Sequence, residues 1–146
     1  MKRMLSALFV ALITVTMSAQ WVEDTPAFHN APPAKGEKLA PILRPDQLEG
    51  ASGQYPFQKH SYALASKVDK LLYQQPCYCH CDKGHGHTSL RSCFESAHGA
   101  NCGICMKEAF YTYEQSKKGR TAAQIRQGIM SKDYDNIDLE NAANLK

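Results

Sequence analysis

Apolar and polar positions change their pattern four times along this chain. Lys2-Arg3 is followed by a mostly apolar run from Met4 to Met17, then by Ser18-Ala19-Gln20. Over residues 20–56 the pattern dissolves among Pro26, Pro32, Pro33, Pro41, Pro45 and Pro56. Proline fixes φ and removes a backbone donor, so this stretch predicts an extended arm. A helical period begins at residue 57. Tyr62, Leu64, Ala65, Val68, Leu71 and Leu72 share a broad face, and Lys59, Lys67, Asp69 and Lys70 fall largely elsewhere, which predicts a helix over 57–75 that Pro76 stops. Thr88 or Ser89 can cap a short helix bearing Leu90, Cys93 and Phe94. Asn101 can cap a third over 102–118, with Ile104, Cys105, Ala109 and Tyr113 on its apolar face and Gly119 as the terminating residue. Thr121-Ala122-Ala123-Gln124 is a capping box opening a fourth, which carries Ile125 and Ile129. Beyond Tyr134 the chain is polar, and its tail is expected to fray. No useful run alternates with period two, and no segment repeats. The expected fold is all-α: about four helices over 57–135 with a Cys/His-rich loop pinned between them, an arm over 20–56 before it and a polar tail over 136–146.

The N-terminal pattern is that of a secretory signal peptide over 1–19, cut after Ala19, because the apolar run is too short to span a bilayer. An uncleaved anchor is the alternative. No cysteine follows the cut, so nothing there supports a lipid anchor. The chain has 17 Lys and Arg against 14 Asp and Glu, and two of the basic residues, Lys2 and Arg3, belong to the signal. The mature chain is thus near balance, with no basic patch for nucleic acid or an anionic membrane. The expected destination is the periplasm or the extracellular space, with no stable membrane insertion after cleavage. Disulfides persist there, so the cysteines can be bridges or ligands.

All six cysteines and four of the six histidines lie between Cys77 and Cys105. Cys77, Cys79 and Cys81 alternate with Tyr78 and His80. In extended chain their sulfurs would share one side, with neighbouring Cα atoms ~7 Å apart, at the limit of a disulfide's reach. That spacing favours wrapping an ion over internal bridges. Cys102-Gly-Ile-Cys105 places two thiols in a first helical turn, where the dipole and free amides stabilise thiolate. His85, His87, Cys93 and His98 lie between. Cys77, Cys79, Cys81, Cys93, Cys102 and Cys105 with His87 and His98 make eight candidate metal ligands, enough for two tetrahedral sites or one polynuclear thiolate site capped by imidazole. His29 and His60 lie in the arm and on the first helix and receive no metal role. Met106 reads as core packing, and it stands where a c-type haem motif requires histidine. Soft ligands select Cu(I), zinc or iron–sulfur chemistry over hard ions. Outside the cytoplasm the expectation is Cu(I), with zinc as the alternative.

Pro76-Cys-Tyr-Cys-His-Cys81, Gly86-His-Thr-Ser-Leu-Arg-Ser-Cys-Phe94, His98-Gly-Ala-Asn-Cys-Gly-Ile-Cys105, the helix through Ala109 and the later Ala123-Gln-Ile-Arg126 resemble the bacterial PCYCGC-motif (lipo)proteins. The resemblance covers residues 55–135 or so. It implies export and a shared Cys/His site made of the same eight residues, and no particular reaction. His80 stands at the glycine of the name-giving motif, either as an added ligand or as a tolerated change of loop φ. The lipoprotein cysteine of many relatives has no counterpart after this signal.

Three functions compete. The first is an exported binding protein, not an enzyme, that sequesters or delivers Cu(I) or zinc, with another exported metal-handling protein as its partner. The second is a secreted binding module stapled by three disulfides. The third is a thiol–disulfide oxidoreductase using Cys102 and Cys105, although no strand precedes them as a βαβ unit would require. Nothing marks one cysteine out as a hydrolytic nucleophile.

Overall fold

The computed structural model describes residues 24–146; the expected signal peptide over 1–19 lies outside them. Among the described residues there are six α-helices, five short 3-10 turns and no strand. The helices are α1 (Pro56–Lys67), α2 (Asp69–Leu72), α3 (Cys81–His85), α4 (Gly103–Lys117), α5 (Ala122–Met130) and α6 (Leu139–Ala142). The fold is all-α, and none of these helices is long and apolar enough to cross a membrane.

α1 starts at Pro56, whose fixed φ suits a first helical position, and Gln58 accepts from the Tyr55 N–H at 2.8 Å. The helix expected over 57–75 breaks at Val68, whose backbone leaves helical geometry at φ −124°, ψ 25°. Asp69 then accepts the Lys70 N–H at 2.7 Å and starts a new turn. The break lets Val68 and Leu72 both enter the core.

α4 is the central element and lies along α1. Cys105, Ala109 and Tyr113 are buried on it as its periodicity predicts, but Ile104 is 37% exposed. Met106, Phe110, Tyr111 and Thr112 are buried as well, because α1 covers one flank of α4 and α5 another. Tyr62, Leu64, Leu72, Leu90, Phe94 and Phe110 form the main core, each full burial of a large apolar side chain contributing roughly 1.5–3 kcal/mol before entropy is counted. Ile125 and Ile129 pack with Tyr111 and Tyr134 in a second cluster. The capping box opens α5: the Gln124 N–H donates to Thr121 Oγ1 at 3.3 Å and the Thr121 N–H to Gln124 Oε1 at 3.0 Å. Gly119 takes φ 73° after α4, the left-handed turn that glycine permits.

Asn101 does not cap α4. Cys102 occupies that place, and the Asn101 amide donates to Ser52 Oγ and Ala97 O instead. The tail does not fray either. Asp138 accepts the Asn141 N–H to start α6, Ala142 is buried, and His60 Nε2 meets Leu145 O at 2.7 Å.

The described part of the arm lies on the helices. His29 stacks on Tyr73 at 3.8 Å, and Arg126 lies over the Phe28 ring at 4.3 Å. The Leu43 N–H donates to Phe94 O at 2.9 Å, and Arg91 donates to Ala40 O at 2.8 Å.

Candidate metal centre

The centre is built where two segments lacking long helices meet the start of α4. The first runs on from Pro76. Its hold on the core is the Leu90 N–H, which donates to Gln75 O at 2.9 Å, and Arg126, which donates to Gln74 O at 2.8 Å. The Cys77–Cys81 stretch is a turn, not an extended strand. The His80 N–H donates back to Cys77 O at 3.0 Å, and His80 sits in the left-handed region at φ 56°, ψ 37°. The turn brings the Cys79 and Cys81 Cα atoms to 5.7 Å, and these two cysteines are paired as a disulfide. The extended chain expected over 77–81, which disfavours such a bridge, does not form because His80 turns left-handed. Cys77, Cys93, Cys102 and Cys105 carry free thiols.

The second segment, Ser96–Asn101, is held from α1. Tyr62 Oη donates to Ser96 O at 2.6 Å and accepts the Ala100 N–H at 3.1 Å, while Gln58 Nε2 donates to Ala100 O at 2.8 Å. Gly99 fits because a Cβ there would meet Cys93 O at 2.8 Å. These bonds place His98 over the cysteines and lead the chain into α4.

Cys77 Sγ is 3.3 Å from Cys79 Sγ and 3.4 Å from Cys105 Sγ, and Cys79 and Cys105 are 3.4 Å apart. Cys81 Sγ lies 3.5 Å from Cys93 Sγ and 3.2 Å from His98 Nε2, and His87 Nδ1 lies 3.3 Å from Cys93 Sγ. Two sets of ligand atoms thus gather within 4.8 Å: Cys77, Cys79, Cys81, Cys93 and Cys105, and then Cys81, His87, Cys93 and His98. Thiolates sharing a tetrahedral ion with bonds of ~2.3 Å stand ~3.8 Å apart. An ion entering here would need the disulfide opened and the sulfurs spread by a few tenths of an ångström. The cluster is placed to hold a metal ion.

Cys102 stands outside both sets. It caps α4 in extended geometry, φ −129°, ψ 110°, just before the first helical residue. A wider cleft, about 820 Å³, lies between α5 and the C-terminal segment and holds no cysteine.

The electrostatics single out one sulfur. Hydrogen bonds from Cys105 and then Cys93 hold the Cys77 thiol far below its ordinary range. Bonds to Cys102, Cys77 and Cys93 push Cys105 up. Cys93 is pushed up too: its bond with Cys105 pulls the other way, and the bond to Cys77, burial and the Cys77 charge prevail. The Cys102 thiol, bonded by Cys105, comes down to about 6. Burial, then the neighbouring imidazoles, lowers His87 and His98, which favours the neutral rings that bind metals.

Glu108 is the residue the sequence reading missed. It is fully buried on α4, its Oε1 accepts the Tyr78 N–H at 2.8 Å, and its Oε2 has no hydrogen-bond partner. Burial, and next the negative Cys77, pushes its carboxyl well above the usual range. The available signal was an acid three residues after Cys105, on the same face as Ala109 and Thr112.

A family model described as a protein of unknown function with PCYCGC motif matches residues 44–138. The chain belongs to this PCYCGC-motif family. No curated protein and no solved structure matches it. In the PCYCGC motif the fifth position is glycine, and the left-handed backbone of His80 supplies the reason. The Arg91 and Arg126 of the PCYCGC-like segments are structural here, one pairing with Glu95 and holding Ala40, the other holding Gln74.

Proposed function

We propose that this chain is an exported, non-catalytic protein of the periplasm or extracellular space that sequesters or delivers Cu(I), or else zinc, through its cysteine centre. The observation that carries the reading is the convergence of five cysteine sulfurs within 4.8 Å, with two imidazoles set against two of them. Thiolate-rich sites select soft cations, and no carboxylate joins either set, so Cu(I) ranks first. The ligand set of this proposal is Cys77, Cys79, Cys81, His87, Cys93 and His98 with Cys105, and Cys102 serves as a peripheral thiol for exchange. Export rests on the basic and apolar N-terminal run ending at Ala19. A carrier of this kind hands its ion to another exported metal-handling protein.

A stapled module has less support. The Cys79–Cys81 bridge joins cysteines two apart in sequence, which closes almost no chain and so restricts the unfolded state little. Loading the centre requires two electrons and two protons for that bridge, supplied by a dithiol, and uptake then releases thiol protons, so binding weakens in acid.

Elemental analysis with thiol titration, on protein exported by its own host, tests the reading. At least one copper or zinc per chain, with several thiols freed when the metal is removed, is expected. Metal-free protein with three disulfides would sink it.

A further inference from the structure

Among the described residues, two that are not glycine stand in the left-handed region, His80 at φ 56° and Lys132 at φ 61°. Both line one groove of about 420 Å³, which lies between the Cys77–Cys81 turn, the start of α4 and the turn after α5. A side chain held left-handed costs conformational energy, and such positions gather where a surface is shaped for an occupant. The apolar part of the lining is Tyr78, Ile104 and Tyr134, and Ile104 is a large apolar side chain left exposed. The charged part is Asp24, Lys83, Lys132 and Asp135, and Asp24 pairs with Lys83.

We propose that the occupant is the chain's own segment Trp21-Val22-Glu23, docked with its indole on Ile104 and the two tyrosines. The described chain begins at Asp24, itself part of the lining, so the preceding residues are tethered at this groove. Three extended residues reach at most ~10 Å, which keeps Trp21 within its range. Trp21 is the single tryptophan of the sequence. An indole buries a large apolar area and keeps one N–H that needs an acceptor, and the lining supplies both, the acceptor being Asp135. Val22 adds apolar area. Glu23 brings an acid to Lys132 as Asp24 brings one to Lys83. The order apolar, apolar, acid, acid over 21–24 thus matches a groove lined by three apolar residues and two lysines. Docked there, the arm covers Tyr78 and His80, the residues that alternate with Cys77, Cys79 and Cys81 in the motif. The inference goes beyond the metal-carrying reading and does not depend on it.

A single tryptophan makes its fluorescence the test, read on the full metal-free chain. The emission is expected at shorter wavelength than in urea, with weak quenching by acrylamide. Ile104→Ser, with helical circular dichroism unchanged, is expected to move the emission toward its position in urea and to raise the quenching. Lys132→Asn suits the left-handed turn and removes the cation set against Glu23, so it should move the emission the same way by a smaller amount, and it decides the matter if Ile104→Ser does not fold. Tyr55→Ser changes the other exposed large apolar residue, which lies outside the groove, and should leave the emission in place. A wild-type emission already at its position in urea overturns the docking, as does one that neither groove variant moves. A short-wavelength emission that appears only as protein concentration rises puts the segment in the groove of a second copy and overturns it too. None of these outcomes bears on whether the cysteine centre carries metal.

Discussion

The sulfur floor and the imidazole rim of the centre are built differently. Cys77 and Cys105 on the floor are buried, and Cys105 and Glu108 stand on α4, the helix that the core surrounds. On the rim, His85 is exposed at the end of α3, and His87 and His98 are half-buried on connecting turns. Cys81 and Cys93 belong to both sets. A dry, rigid, soft floor suits retention of an ion, and a wet, borderline rim suits its exchange.

Breaking the floor should have the largest effect. Cys105→Ala removes the sulfur 3.4 Å from both Cys77 and Cys79, and retained Cu(I) affinity should fall by about 100-fold or more, measured by competition against a chelator of known strength. His98→Asn on the rim should cost less, about tenfold, in the same competition. Equal losses in the two variants would erase the distinction between floor and rim.

The support of the floor comes next. Glu108→Leu strands the Tyr78 N–H and should destabilise the metal-free chain by roughly 1–3 kcal/mol in denaturant unfolding. Glu108→Gln keeps the accepting oxygen and removes a buried acid, so it should unfold no earlier than the wild type at neutral pH. If both variants lose equally, the carboxyl itself matters and not its hydrogen bond. His80→Gly should stabilise the reduced, metal-free chain by about 1 kcal/mol, the relief of a left-handed backbone.

The smallest effect concerns Cys102. With its thiol at about 6 against an ordinary 9, it should be the first free cysteine alkylated, with a rate rising through pH 6. Because the folded chain binds this proton less tightly than the unfolded chain, the stability it contributes is full above pH 9 and lost as pH falls through 6. Peptide mapping after brief alkylation across that range checks the order, and a flat profile between pH 5 and 7 would refute the assignment.

Much of the scaffold was legible because it is local. The capping box at Thr121 and Gln124, the stop at Gly119 and the face of Tyr62, Ala65 and Leu72 all depend on neighbours within a few positions. The helix break at Val68 and the burial of Glu108 were not legible in the same way. A β-branched residue and an acid are compatible with many settings, and only contacts from other elements chose these. Ile104 misled for the same reason: its period matches the apolar face of α4, but its neighbours leave it 37% exposed.

The sequence by itself determined the all-helical class, the family and the crowding of sulfur and imidazole into one stretch, because periodicity, caps and composition are properties of the chain. Tertiary structure alone decided which of those groups meet. One left-handed turn at His80 joined Cys79 to Cys81, the extended backbone at Cys102 left that thiol outside both ligand sets, and Tyr62 on a distant helix carried His98 over the cysteines. Side chains converge through long-range packing and single dihedral choices, and neither is written in spacing along the chain.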